Sequence, residues 1–477
     1  MAAAEAAPLA QAGGVGDVLR ALPAALARAG ARVERLLPAY GSVERAGFEY
    51  EDGNLAVPLG PSRAPVRFLG RTGPDGVRTT LVECEEMFSR EGIYGPPGGA
   101  YPDNARRFTL FSRAVCERAR RAARPPDILH AHDWHAALVP LFVRFAGPWR
   151  SRPPRTVLTI HNLAYQGRFE AEEADWLALP GAARGQVWRA DGLEDHGGVN
   201  LLKGGLAFAD ALTTVSPTHA REILTPEFGS GLEGLLRRRR ADLRGILNGA
   251  DYDVWNPAAD PNLPRPFDAG ALEGKRQAQQ DVRAALGLPA ADRPLIAAIG
   301  RLVHQKGIDV LAQAAPALLE SGADLAILGA GESELEHRLR DLRDRRPDRV
   351  GLRLGYDVPL SHRIVAGADL LLVPSRYEPC GLVQMHALRY ATIPIVHRTG
   401  GLADTVRGED ETPGSGTGFL FSPLTPEALA GAVRRALALR RSDPAAWHAL
   451  RQRAMAERFS WEQSAAEYAR LYSAISG

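Results

Sequence analysis

One lysine in this chain stands where a cation could meet a departing diphosphate. Lys306 lies in the run Gly300-Arg301-Leu302-Val303-His304-Gln305-Lys306-Gly307, directly after the apolar stretch Pro294-Leu295-Ile296-Ala297-Ala298-Ile299. That stretch predicts a buried parallel strand. Arg301 and Lys306 therefore sit on the loop leaving a strand's carboxyl end, where α/β folds bind ligands. Lysine and arginine together number 58, yet only three are lysines: Lys203, Lys275 and Lys306. A lysine kept in an arginine-rich chain is a candidate for work that a broad guanidinium cannot do, because a compact ammonium enters a narrow pocket beside a diphosphate.

A second cluster follows the strand expected to end at Val373: Pro374-Ser375-Arg376-Tyr377-Glu378-Pro379-Cys380-Gly381-Leu382. Pro379 suits the first turn of a helix and Glu378 the position just before it, with the helix running from Leu382 to Tyr390. A carboxylate there can grip both hydroxyls of a ribose, as in dinucleotide sites. The strand Ile393-Pro394-Ile395-Val396 then leads to Thr399-Gly400-Gly401-Leu402, a turn into a helix whose backbone N–H groups form a nest for a diphosphate. A similar device opens the chain. In Pro8-Leu9-Ala10-Gln11-Ala12-Gly13-Gly14-Val15-Gly16-Asp17, the glycines allow close backbone approach, and a helix follows whose free N–H groups could meet phosphate.

His130-Ala131-His132-Asp133-Trp134-His135 follows another strand. Three histidines and an aspartate invite a zinc reading. Alternate strand residues point to opposite faces, however, so His130 and His132 share a face and Asp133 points elsewhere. No metal-ligating helix motif or cysteine partner accompanies them. Asp133 reads better as an acceptor for sugar hydroxyls, and His161, after the strand ending at Ile160, holds an equivalent place.

These loops need a scaffold of strands alternating with helices, and the chain supplies one throughout. Residues 127–131, 156–160, 211–215, 325–328 and 369–373 are short apolar runs separated by helical patterns, which implies parallel sheets covered on both faces. At 477 residues the chain exceeds one ordinary core. A Pro-, Asn- and Asp-rich stretch at 251–268 reads as a linker. The division expected is 1–255, 256–458, and a terminal helix over 459–477 with Tyr468 and Tyr472 on one face. A net charge of +2 gives no basic field for nucleic acid. Cys84, Cys116 and Cys380 lack metal-ligand spacing and are too few for a disulfide framework, which suits a reducing cytoplasm. No bilayer-spanning run and no signal peptide is seen, so no membrane partner is expected.

Taken together and in this order, the motifs resemble the bacterial glycogen synthases and plant starch synthases (glycosyltransferase family 5) over nearly the whole chain. The resemblance is carried by the N-terminal Gly-Gly loop, His132-Asp133-Trp134-His135, Thr159-Ile160-His161-Asn162 and Asn200-Leu201-Leu202-Lys203-Gly204-Gly205. It continues through Ile246-Leu247-Asn248-Gly249, the Lys306 run, Glu378-Pro379-Cys380-Gly381-Leu382, and Thr399-Gly400-Gly401. It implies a GT-B fold: two Rossmann-like lobes with parallel sheets facing a central cleft, and a C-terminal helix returning to the first lobe. It implies transfer of glucose from ADP-glucose, with UDP-glucose the alternative donor, to the non-reducing end of an α-1,4-glucan, with retention and without a metal or other cofactor. By the same resemblance Arg301 and Lys306 neutralise the diphosphate, and Glu378 holds the ribose or donor glucose. Asp133 and His161 grip sugar hydroxyls, Asn248 contacts the donor sugar and Tyr356 the adenine. Thr399, Gly400 and Gly401 meet the phosphates, with Gln11, Gly13, Gly14, Cys380, Gly381 and Leu382 also on the donor side.

Three departures from the family pattern stand out. The first strand of the first lobe looks to be missing, the family's lysine before the Gly-Gly loop is Gln11, and His386 stands where many GT-B transferases carry a second glutamate. Two other readings therefore stay open: a catalytically impaired glucan- or nucleotide-binding homologue, and a GT-B transferase with another acceptor.

Overall fold

Four of the apolar runs, with two strands the sequence reading did not name (Val350–Leu354 and Phe419–Phe421), build one all-parallel sheet: Leu295–Ile299, Asp324–Gly329, Val350–Leu354, Leu370–Val373, Ile393–His397 and Phe419–Phe421. Numbered one to six along the chain, they lie side by side in the order 3-2-1-4-5-6, the doubly wound Rossmann order. Their side chains divide by parity. Ile296, Ala298, Leu325, Ile327, Leu370 and Leu372 pack into one core, and Leu295, Ala297, Ala326, Leu328, Leu371 and Val373 into another on the opposite face. A sheet buried on both faces needs apolar residues at every position, which is why these strands lack a polar alternation.

The computed structural model describes residues 1–51, 53–96, 99–149 and 152–477. They divide into two units, Met1–Gly249 with Trp461–Gly477, and Ala250–Ser460. The expected linker at 251–268 is thus part of the second unit. It packs there because it carries buried Leu263 and Phe267, and because Asp260 accepts hydrogen bonds from Tyr390 (2.6 Å) and pairs with His362 (2.7 Å). Trp255 stacks between His362 and His386, at 3.7 and 4.0 Å between ring centres. Proline and asparagine content marked an irregular backbone, not an unattached one.

The first unit also has a central sheet. On one side Glu34–Pro38 pairs with Arg78–Glu83, and on the other Ile128–His132, Arg155–Ile160, Ala211–Thr214 and Leu243–Gly245 run in parallel. The first strand is not missing. Ala2 bridges Leu36 on one side and Ala131 on the other, both in parallel. Its N–H donates to the His130 carbonyl (2.8 Å), and its carbonyl accepts from His132 N–H (3.0 Å). Three residues, Met1 to Ala3, fill the slot that joins the two halves, and alanine side chains suffice because the position is buried on both sides. This sheet too has its switch point beside the central strand.

Helix starts follow local chemistry. Ser216-Pro217, Thr425-Pro426 and Asp443-Pro444 each set a capping side chain before a first-turn proline, and each cap accepts from the N–H three residues on. The terminal helix Trp461–Ser476 belongs to the first unit. Trp461, Ala465 and Tyr468 are buried there, and Ser464 donates to the Leu247 carbonyl at 2.6 Å. Among the described residues no helix is long and apolar enough to cross a membrane.

Candidate active site

In the second unit the switch point lies between Leu295–Ile299 and Leu370–Val373, where helices depart to opposite faces. The loops leaving these two strands carry Arg301 and Lys306 on one, and Ser375 and Glu378 on the other. They approach so closely that a Cβ at Gly307, which has φ +65°, would lie 1.9 Å from the Pro374 carbonyl oxygen. Only glycine permits that contact. The closeness brings Lys306 Nζ onto Glu378 Oε2, with Ser375 Oγ donating to the same oxygen at 2.9 Å. Glu378 is 6% exposed, so its charge is held by an ammonium and a hydroxyl. Gly401 N–H donates to the Glu378 carbonyl at 3.0 Å, which ties the Thr399–Gly401 turn to the same cluster. A side chain at Gly401 would strike the Cys380 carbonyl at 2.2 Å.

Pro379 does not open a helix, as its type had suggested. The helix spans Val383–Arg389, and Gly381, at φ +71°, bends the intervening loop. Arg301 is exposed, with Nη2 3.4 Å from Gln305 Oε1. Tyr356 follows strand three and is 87% exposed, while Cys380 is buried and Leu382 half-buried.

In the first unit Asp133 follows Ile128–His132 with φ +55°. Aspartate enters this left-handed region at a modest cost. The turn aims Oδ1 at the His161 backbone N–H, 2.7 Å away. Burial pushes the Asp133 carboxyl up to about 7, against the pull of the His161 and Asn162 N–H groups, and the nearby Glu5 charge adds to the rise. The histidines form a stack, not a metal cage. His130 bonds Thr159 Oγ1 (2.6 Å) and the Tyr472 hydroxyl (2.7 Å). Its ring lies over His132 at 4.2 Å, and His132 Nδ1 meets His161 Nε2 at 2.9 Å. Burial drives all three below the usual histidine range, His161 to about 3. They are therefore neutral near pH 7.

In the Gly-Gly loop two amides already have an internal partner. The Glu5 carboxylate, 3% exposed, accepts from Ala12 N–H (2.7 Å) and Gly13 N–H (2.8 Å). Its other oxygen accepts from the Tyr94 hydroxyl, whose ring stacks on His135 at 4.7 Å. Gly14 begins the helix Gly14–Arg28, and exposed Gln11 donates to Asp17 Oδ2 at 3.1 Å. Asn248 is buried beyond the strand Leu243–Gly245. Sequence reasoning missed Glu5, Tyr94 and Ser375. An isolated glutamate among alanines carries no motif, and its long-range partner, the Tyr94 hydroxyl, lies 89 positions away.

Lysine at the other two positions has a structural role. Lys203 Nζ pairs with Asp195 (3.1 Å). Lys275 is buried and caps the carbonyls of Ala366 and Tyr390 at 2.8 and 3.0 Å. Two of the three retained lysines are structural, so retention alone does not mark a site.

Two Rossmann-like sheets in one chain, one with a cation–carboxylate cluster at its switch point and the other with an aspartate and a histidine, match the two-lobed layout expected of a GT-B glycosyltransferase. Residues 1–238 match the family model for the starch synthase catalytic domain, and residues 281–454 that for glycosyl transferases group 1. Glycogen synthases from Anaeromyxobacter dehalogenans strain 2CP-C and Rhodospirillum rubrum are 46% and 45% identical, over 99% of this chain and 98% and 97% of theirs. The catalytic domain of starch synthase IV from Arabidopsis thaliana, solved bound to ADP and acarbose, superimposes with a TM-score of 0.91 at 36% identity. That alignment covers 100% of this chain and 98% of the other. A sucrose-phosphate synthase from Thermosynechococcus elongatus, at 22% identity and a TM-score of 0.58, shares the fold. The chain belongs to the glycogen synthase and starch synthase family of glycosyltransferases.

Proposed function

We propose that this enzyme transfers glucose from ADP-glucose to the non-reducing end of an α-1,4-glucan, with retention of the anomeric configuration. The observation that carries the reading is the pairing of Lys306 with Glu378 at the switch point of the 3-2-1-4-5-6 sheet, in a chain 36% identical to an enzyme solved with ADP and acarbose. In this reading Arg301 and Lys306 face the diphosphate, the Thr399, Gly400 and Gly401 turn supports it, and Glu378 meets the ribose or donor glucose. Cys380, Gly381 and Leu382 shape the same pocket, and Tyr356 lies against the adenine. Asp133, His161 and Asn248 take sugar hydroxyls.

The physics favours this division. A nucleoside diphosphate departs with added negative charge, and preorganised cations stabilise the transition state. In other transferases a divalent ion does this; here two side-chain cations take its place. Retention needs a carboxylate nucleophile beneath the ring or attack from the leaving-group face. Glu378 is committed to Lys306 and Ser375, so same-face attack is the route proposed. Incorporation of labelled glucose into glycogen, with ADP-glucose and UDP-glucose in parallel, tests the reading. Strong incorporation from ADP-glucose is expected; none from either donor overturns it.

A further inference from the structure

The contact between His132 and His161 has two possible proton arrangements with different consequences. His132 is 1% exposed. Its Nδ1 lies 2.9 Å from His161 Nε2, and its own Nε2 has no hydrogen-bond partner among the described residues. Both rings are neutral near pH 7, so each carries one proton. If His161 donated, His132 would carry its proton on Nε2, a buried N–H with nothing to accept it. If His132 donates, the orphaned atom is a bare ring nitrogen. A buried N–H left unpaired is the rarer defect, and it costs the full desolvation of a donor. The second arrangement forces His161 to carry its own proton on Nδ1. That nitrogen has no partner among the described residues, the ring's one hydrogen bond being at Nε2, and unlike His132 Nε2 it is not a fully buried atom, so it can donate to a ligand.

We infer that His132 is a positioning residue of the transfer reaction: it fixes His161 as the Nδ1–H tautomer, so that His161 donates a hydrogen bond to a sugar oxygen instead of accepting one. His130 supports the arrangement. Both its ring nitrogens are engaged, by Thr159 and by Tyr472 of the terminal helix, and its ring is stacked on His132. The motif that suggested metal binding thus serves to select a tautomer. This inference rests on the proposed glucose transfer for its kinetic consequence, but the tautomer itself does not depend on that activity.

Two measurements test it. In the wild-type protein labelled with ring-15N histidine, with the His161 signals assigned by loss in His161→Gln, long-range 1H–15N spectra at pH 7.5 report which nitrogen of His161 is protonated. Protonation at Nδ1 is expected; protonation at Nε2 overturns the inference even if glucose transfer is confirmed. Transfer assays then compare His132→Asn, whose amide N–H lies near the place of Nδ1, with His132→Leu, which has no donor. The asparagine variant is expected to keep kcat within about threefold of wild type. The leucine variant should lose on the order of 10–100-fold, by analogy with removing the partner that orients a metal-bound histidine, with donor KM changed far less. Equal rates in the two variants, high or low, overturn it.

Discussion

The Glu5 carboxylate accepts a hydrogen bond from the Gly13 backbone N–H at 2.8 Å. The loop beside the first unit's switch point is therefore built around a buried anion that engages two of its amides. Exposed Gln11 in this loop supplies a hydrogen-bond donor without charge.

Gln11→Lys is expected to raise kcat/KM for ADP-glucose. Pairing between ionised groups is stronger than a neutral hydrogen bond, but Asp17 Oδ2, 3.1 Å from the Gln11 amide, will take part of the new charge. A gain of about threefold is expected, roughly 0.7 kcal/mol. An unchanged donor kcat/KM would show that charge at this loop has no bearing on the donor.

Lys306→Ala should lose most activity, by about 2.7–4 kcal/mol in transition-state stabilisation, by analogy with removal of one oxyanion donor. Lys306→Arg should not restore it. Nζ sits on the buried Glu378 carboxylate oxygen that also accepts from Ser375, and a broader, planar guanidinium on a longer stem would have to rearrange that contact. Near-normal turnover in the arginine variant would refute the steric part of the argument.

Glu378→Gln should keep a cooperative melt and use the donor poorly. The amide oxygen can still accept from Ser375, while the charged partner of Lys306 is gone. A hydrogen bond to a charged group contributes about 1.5–3 kcal/mol, so kcat/KM should fall roughly 10–100-fold. Loss of the melting transition would assign Glu378 a structural role instead.

Asp133→Asn should trade activity for stability. The folded-state carboxyl titrates near 7, above its ordinary 3.8. The stability tied to its protonated form is complete below the unfolded value and is lost as pH rises through about 7. At pH 8 the wild type buries an ionised carboxylate that the amide variant lacks. A Tm gain of about 5 °C is expected at pH 8, shrinking at pH 5, with slower transfer at both. A lower Tm at pH 8 would show that the His161 and Asn162 hydrogen bonds outweigh the burial.

Treatment with EDTA should leave the transfer rate unchanged. Three of the four ring nitrogens of His130 and His132 are bonded to Thr159, Tyr472 and His161, and Arg301 and Lys306 are the cations proposed for the diphosphate. Chelator sensitivity reversed by added zinc or magnesium would overturn this.

The parallel strands at 128–132, 155–160, 211–214, 295–299, 324–329, 370–373 and 393–397, and both glycine turns, were legible in the sequence because their signals are local. Apolar runs such as 295–299 and 370–373 declare strands buried on both faces, and the loops that follow them declare candidate sites. Errors arose where composition stood in for packing. The proline-rich stretch at 251–268 is irregular yet anchored by Trp255 and Asp260, and Met1 to Ala3 are too short and too small to read as a strand.

By itself the sequence determined the order of strands and helices, the residues on each switch-point loop, and a family resemblance spread over nearly the whole chain. Only the tertiary structure decided which of those residues meet. Asp133 reaches His161 across 28 positions, Lys306 reaches Glu378 across 72, and His130 reaches Tyr472 across 342. Side-chain period and turn chemistry are properties of neighbours along the chain, so they can be read locally. Which distant hydroxyl a buried carboxylate takes, as Glu5 takes that of Tyr94 across 89 positions, depends on which segments the fold lays side by side, and that is set by burying the whole sheet at once.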